Sequence, residues 1–199
     1  MVSRIITAAL LTATLVSCKT DKEEIIIPPA TLEMTRTITL PFQNNLRKTA
    51  SYSQTSGLVS YATLENDLLS LSFVAEPAAD RSMADGITFQ LHTKHLASPV
   101  KTYSFSDPAN KIEHARYTFS DHQQATRIRI IDTKMGSSFT GRLTITAYDP
   151  ANHLISGYYS IEIPDLIYDP SNLQAGVPGD PKDQSYLQLT GSFENVRIK

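Results

Sequence analysis

The sequence is poor in cysteine, tryptophan and surplus charge. Its 199 residues include one cysteine, Cys18, and no tryptophan, with Lys and Arg together at 18 against 20 Asp and Glu. A lone cysteine excludes a disulfide framework within the chain and any thiolate-rich zinc site. A formal net charge of -2 excludes the strongly basic composition of a nucleic-acid binder, and no nucleic-acid partner is expected. The N-terminal apolar run, 5–16, is diluted by Thr7, Thr12 and Thr14. It falls short of the about 20 residues a permanent transmembrane helix requires. No segment sustains a 3.6-residue period, so helix is expected only as a minor component, around 76–83. Signatures of catalysis are missing as well: there is no Gly-x-Ser-x-Gly elbow, no P-loop and no dinucleotide glycine fingerprint.

What the N-terminus does contain reads as an address. Arg4 supplies a positive start, the apolar run follows, and small residues precede a cleavage point. The tetrad Leu15-Val16-Ser17-Cys18 resembles the lipobox of bacterial lipoproteins. That resemblance implies that residues 1–17 are a signal peptide and that the Cys18 sulfur receives a diacylglycerol. It also implies a protein held at the outer membrane by N-terminal lipid, on its periplasmic or its surface side. Two or more acyl chains anchor firmly where one anchors marginally. The next stretch, Lys19-Thr20-Asp21-Lys22-Glu23-Glu24, is similar to the acidic export signals that follow the cysteine in some Bacteroidota lipoproteins, and reads equally well as a solvated tether. Pro28-Pro29 favours an extended approach to a folded unit. The division expected is therefore 1–17 signal peptide, 18–30 lipidated cysteine and flexible tether, and 31–199 folded domain.

From about Thr31 the dominant period is two. Apolar and polar residues alternate over 35–40, 69–73, 87–91 and 127–130, and further strands are expected over 58–64, 100–105, 115–119, 139–148, 154–163 and 186–198. Turn chemistry separates them at Asp85-Gly86, Asp107-Pro108-Ala109-Asn110, Asp149-Pro150-Ala151-Asn152 and Asp169-Pro170-Ser171-Asn172. About ten strands with polar outer faces describe an all-β, antiparallel, sandwich-like domain with little helix, because a parallel sheet would need crossover helices. Gly141, Gly157 and Gly191 share the parity of the core residues on their strands. Each is expected to accommodate a bulky neighbour such as Tyr159 or Phe193, or to mark a bend. Val196 and Ile198 have opposite parity to Phe193, which places a β-bulge near Glu194-Asn195.

The order Thr102-Tyr103, then Gly141-Arg142-Leu143-Thr144-Ile145-Thr146 with Asp149, then Ile155-Ser156-Gly157-Tyr158-Tyr159, then Leu189-Thr190-Gly191-Ser192-Phe193-Glu194-Asn195-Val196 resembles a family of uncharacterised Bacteroidota lipoproteins. Their small β-rich domains end in paired strands that carry a hydroxyl residue, a glycine and an aromatic. The resemblance covers roughly 60–198 and implies fold and location, not activity.

Candidate chemistry is sparse. His92 and His95, three apart, would point to opposite faces of a strand, and no carboxylate sits beside them, so no metal site is expected. The aspartates of 165–183 are too dispersed for a calcium loop, but a connection of that length is a candidate contact surface. The sole thiol is expected to be lipidated and cannot serve as a nucleophile. No catalytic residue and no cofactor are expected, with an envelope hydrolase built from His153 and distant serines the weakest alternative. Exposed tyrosines combine an apolar face with a polar tip, and parity puts Tyr148 and Tyr158 opposite their strands' aliphatic residues, as neighbours across a hairpin. Candidate ligand or partner contacts are therefore Tyr148, Tyr158, Tyr168, Asp169 and Asp180. The reading is a non-catalytic envelope component that presents a surface to a protein partner. The alternative is a module that binds a glycan or small ligand.

Overall fold

A computed structural model describes residues 27–76, 83–93, 99–121, 127–166 and 184–199. Among the described residues eleven strands run in chain order: β1 (Thr31–Leu40), β2 (Leu46–Ser53), β3 (Leu58–Glu65), β4 (Leu68–Ala75), β5 (Met83–His92), β6 (Thr102–Ser104), β7 (Ile112–Asp121), β8 (Arg127–Asp132), β9 (Thr140–Asp149), β10 (Leu154–Leu166) and β11 (Ser185–Arg197). They form two antiparallel sheets in a sandwich-like arrangement. One is six-stranded, in the order β2-β1-β11-β10-β9-β6, and the other five-stranded, β3-β4-β5-β7-β8. Among the described residues, helical geometry is confined to short 3₁₀ turns at Pro41–Gln43, Gln54–Ser56 and Thr133–Met135.

Period-two alternation becomes burial directly. Along β4, Leu69, Leu71, Phe73 and Ala75 are buried while Leu68, Ser70, Ser72 and Val74 are only partly so. The core lies between the sheets. Phe73 and Phe89 of the five-stranded sheet meet Tyr159 of the six-stranded sheet at ring-centroid distances of 5.4 and 5.3 Å, and Phe73 meets Phe193 at 5.0 Å. Tilted aromatic pairs at such spacing add to the burial of their area.

Two of the three glycines behave as their parity implies. Phe193 stands opposite Gly157 in the β10–β11 ladder and Tyr159 opposite Gly191. A Cβ built on Gly157 would lie 2.8 Å from Phe193 Cζ, and one on Gly191 would lie 2.4 Å from Tyr159 Cζ. Gly141 differs. It is exposed and has φ +106, and the β10 backbone at Ser160 and Ile161 occupies the space a Cβ would need, so it marks a backbone irregularity and not a seat for an aromatic ring. The bulge expected near residue 194 is present: Gly157 pairs with Phe193 but Ile155 with Val196, leaving an extra residue on β11. Asn195 has φ 53 there, and Ser156 Oγ accepts its N–H at 3.0 Å.

Several expectations are corrected. Asp85-Gly86 is no turn: both residues lie inside β5, paired with Phe119 and Thr118. The physical reason is that Asp85 finds partners inside the core, described below. Strand β2 was not expected at all, because Arg47, Lys48 and Thr49 obscure its alternation on an outer strand. A helix over 76–83 is not seen where the chain is described, since Met83 opens β5; residues 77–82 lie outside the described residues. Strand β10 continues to Leu166, past the start expected for the 165–183 segment, and residues 167–183 lie outside the described residues.

Two turns share one design. In Asp107-Pro108-Ala109-Asn110, Asp107 Oδ1 accepts the Ala109 N–H at 2.9 Å and Oδ2 accepts from Asn110 Nδ2 at 3.1 Å. In Asp149-Pro150-Ala151-Asn152 the same bonds measure 2.9 and 2.6 Å. Side-chain bonds from Asn110 and Asn152 lower the pKa of Asp107 and Asp149, with the turn N–H groups helping.

Candidate functional site

Among the described residues, two polar clusters, one hydroxyl-rich face and one sheet edge stand out. The first cluster lies between the sheets. On β1 the inward positions are Leu32, Met34, Arg36, Ile38 and Leu40, and all are buried. On β5, Asp85 has the parity of Ile87, Phe89 and Leu91 and is buried with them. A charged residue in an apolar row must find a partner. Arg36 Nε donates to Asp85 Oδ2 at 3.3 Å, the Tyr52 hydroxyl donates to the same oxygen, and the Tyr117 hydroxyl donates to Oδ1. The guanidinium also lies over the Phe119 ring, 5.5 Å from its centroid.

Arg36 and Tyr52 belong to one sheet and Asp85 and Tyr117 to the other, so the cluster fastens the layers together. Burial, reinforced by the negative charge of Asp85, pushes Tyr52 up to about 12 and Tyr117 well above its ordinary value. Burial alone would lower Arg36, but Asp85 and the tyrosines outweigh it and its pKa rises. The Asp85 side chain has no exposed surface, so the group is a clamp and not a reaction centre. Sequence reasoning missed it, although Arg36 on β1 and Asp85 on β5 each stand as the charged member of an otherwise apolar parity set.

The second cluster lies on the outer face of the five-stranded sheet. Asp132, at the end of β8, accepts Arg116 Nε at 2.7 Å, the Lys134 N–H at 2.7 Å and a contact with His114 Nε2 at 2.8 Å. His114 Nδ1 lies 3.1 Å from Gln90 Oε1. Burial raises the Asp132 pKa, but the bonds from Arg116, Lys134 and His114 outweigh it and hold the carboxyl down at about 2. Asp132 also caps the turn at Thr133–Met135. These bonds tie together β7, β8 and that turn.

Of the residues expected to contact a ligand, Tyr158 and Tyr148 are described, and the structure does not bring them together. Tyr158 pairs with Thr144, whereas Tyr148 pairs with Ile155. The β9–β10 register shifts between Ser156 and Gly157, so Thr146 is the extra residue on β9. Beyond it, Tyr148 packs against the core cluster. Simple parity failed there because it counted through a bulge. Tyr158 remains 45% exposed on the outer face of the six-stranded sheet. Cys18, Tyr168, Asp169 and Asp180 lie outside the described residues, as does His95. Among the described residues no group of three or more His, Cys, Asp or Glu side chains could hold a metal ion.

The six-stranded sheet's outer face is rich in hydroxyls. Across its strands Ser53, Glu33, Ser192, Tyr158, Thr144 and Thr102 form one row. The next holds Ser51, Thr35, Thr190, Ser160, Arg142 and Ser104. Hydroxyls bond across strands, Thr35 to Ser51 at 3.1 Å and Thr102 to Thr144 at 3.0 Å.

A different surface lies at the edge of the other sheet. Strand β8 pairs with β7 and is the last strand of its sheet. Its inward Ile131 is buried, but Ile128 and Ile130 are 54% and 46% exposed. No family model, no curated protein and no solved structure matches this chain.

Proposed function

We propose that the protein is a non-catalytic component of the cell envelope, anchored at the outer membrane through lipid on Cys18, that offers the edge of β8 to a protein partner. The observation that supports the partner reading is the pair of exposed isoleucines on that edge strand. Edge strands present unpaired N–H and C=O groups and are ordinarily blunted by charge, brevity or cover. The other three edges follow that rule. Strand β2 carries Arg47 and Lys48, and β6 is three residues long. Strand β3 is overlaid by the C-terminal residues, with the Lys199 N–H donating to the Ala62 carbonyl at 2.9 Å and Ala62 bridged to Ile198. Strand β8 also carries Arg127 and Arg129, but it adds two exposed aliphatic side chains, Ile128 and Ile130, on one face, the arrangement that suits addition of an extended segment from another protein.

The test has two arms. Palmitate labelling of the wild type and of Cys18→Ser reads the anchor; label retained by Cys18→Ser would overturn lipidation. Ile128→Lys/Ile130→Lys alters the edge without touching the core. Site-specific crosslinking from Thr118, beside Ile130 in the β7–β8 ladder, should capture a discrete envelope protein with the wild type and lose it in the double variant. Equal capture by a variant of unchanged melting temperature would overturn the β8 reading.

A further inference from the structure

We infer that the outer face of the six-stranded sheet is a second binding site, independent of the β8 edge, and that it takes a neutral oligosaccharide laid across the strands over Tyr158. Three adjoining depressions follow the row that contains this residue. One of 390 Å³ lies between β9, β10 and β11, with Tyr158, Thr146, Ser156 and Glu194 on its walls. Another of 230 Å³ continues over Tyr158 and Ser192 to Glu33 and Thr35. A third of 380 Å³ runs from Glu33 and Thr35 to Ser51, Ser53 and Ser56. Shared walls, Tyr158 and Ser192 between the first two and Glu33 and Thr35 between the last two, make them one trough. It crosses five strands. At about 4.8 Å between neighbours it is roughly 19 Å long, a length for a short chain of sugar rings and not for a single one.

The chemistry of the walls selects the occupant. Tyr158 offers an aromatic face to the C–H side of a sugar ring and a hydroxyl at its tip. Serine and threonine hydroxyls both donate and accept, matching a polyol, and those of Thr35 and Ser51 are already oriented by their mutual bond. Glu33 and Glu194 are the carboxylates of the walls, and among the described residues no Lys, Arg or His lines the trough. Carboxylates accept strong bonds from sugar hydroxyls and repel anionic sugars. Arg142 stands in the neighbouring row, outside the depressions. The outward side chains here are short apart from Tyr158 and the two glutamates, which leaves the trough open along its length.

The test is calorimetric titration of the full-length chain with cellohexaose, maltohexaose and xylohexaose, beside oligogalacturonate as the anionic probe. At least one neutral hexasaccharide should bind. Tyr158→Ala should weaken that binding at least tenfold with an unchanged melting temperature. Tyr61→Ala, an exposed tyrosine on the opposite sheet, should leave it unchanged. Glu33→Lys should raise affinity for oligogalacturonate. Failure of all three neutral probes, tighter wild-type binding of oligogalacturonate, or full affinity in Tyr158→Ala would overturn the inference.

Discussion

Phe193 covers Gly157 so closely that its Cζ lies 2.8 Å from where a Cβ on residue 157 would be. The Thr144 carbonyl oxygen would be nearer still, at 2.2 Å. One neighbour is a core aromatic and the other is backbone, so neither can yield cheaply. Overpacking of this kind typically costs about 1–3 kcal/mol, occasionally more. Gly157→Ala should therefore lower the melting temperature measurably, and Gly157→Val should lower it further. A melt of Gly157→Val indistinguishable from wild type would contradict the packing.

The inter-sheet clamp and the nearby Tyr159 make opposite predictions for the same chemical change. Tyr117→Phe strips Asp85 Oδ1 of a buried donor and should cost about 1–3 kcal/mol. Asp85→Leu strands Arg36 and should cost about 3–5 kcal/mol. The Tyr159 hydroxyl is buried without a hydrogen-bond partner among the described residues. Tyr159→Phe should accordingly be neutral or stabilising. Urea denaturation of the three variants ranks them, and a loss in Tyr159→Phe equal to that in Tyr117→Phe would refute the distinction.

Acid stability should depend on Asp132. Its folded pKa of about 2 lies below the ordinary value of 3.8, so its contribution is present above about 3.8 and is lost as pH falls toward 2. Asp132→Asn should remove that part of the acid dependence and lower stability at neutral pH. Chemical denaturation at pH 7, 4 and 2.5 reads both effects, and parallel losses at every pH would count against the assignment.

Alkaline behaviour follows with the opposite sign. Tyr52 ionises near 12 in the fold against 10.0 ordinarily. Its contribution is present below about 10 and disappears as pH rises through 12. Spectrophotometric titration of the native protein should therefore show a late tyrosinate component, reduced in Tyr52→Phe. An unchanged late component in that variant would show that Tyr52 does not belong to it.

The sandwich was legible because its buried faces are written as alternation, and β4 is the clearest case. Bulges were legible only where parity visibly reversed, as between Phe193 and Val196. The one at Thr146 leaves no such reversal, and Tyr148 was misassigned for that reason. Asp85-Gly86 has the composition of a turn, and only the distant Arg36, Tyr52 and Tyr117 make it a strand. The trough could not be read beyond Tyr158, since its other walls come from strands far apart in sequence whose registers no local pattern specifies.

The first strand lies between β2 and the last, with Thr31 opposite Glu194 and Thr39 opposite Tyr186. Loop-closure entropy has to be met before contacts so distant in sequence can form. Six-stranded order must therefore wait for β11 to be made, so no fragment that stops before residue 185 can complete this sheet. Loss of the final thirteen-residue strand would expose β1 and β10 together along facing edges. A truncated product would be an aggregation-prone species, not a smaller version of the same protein.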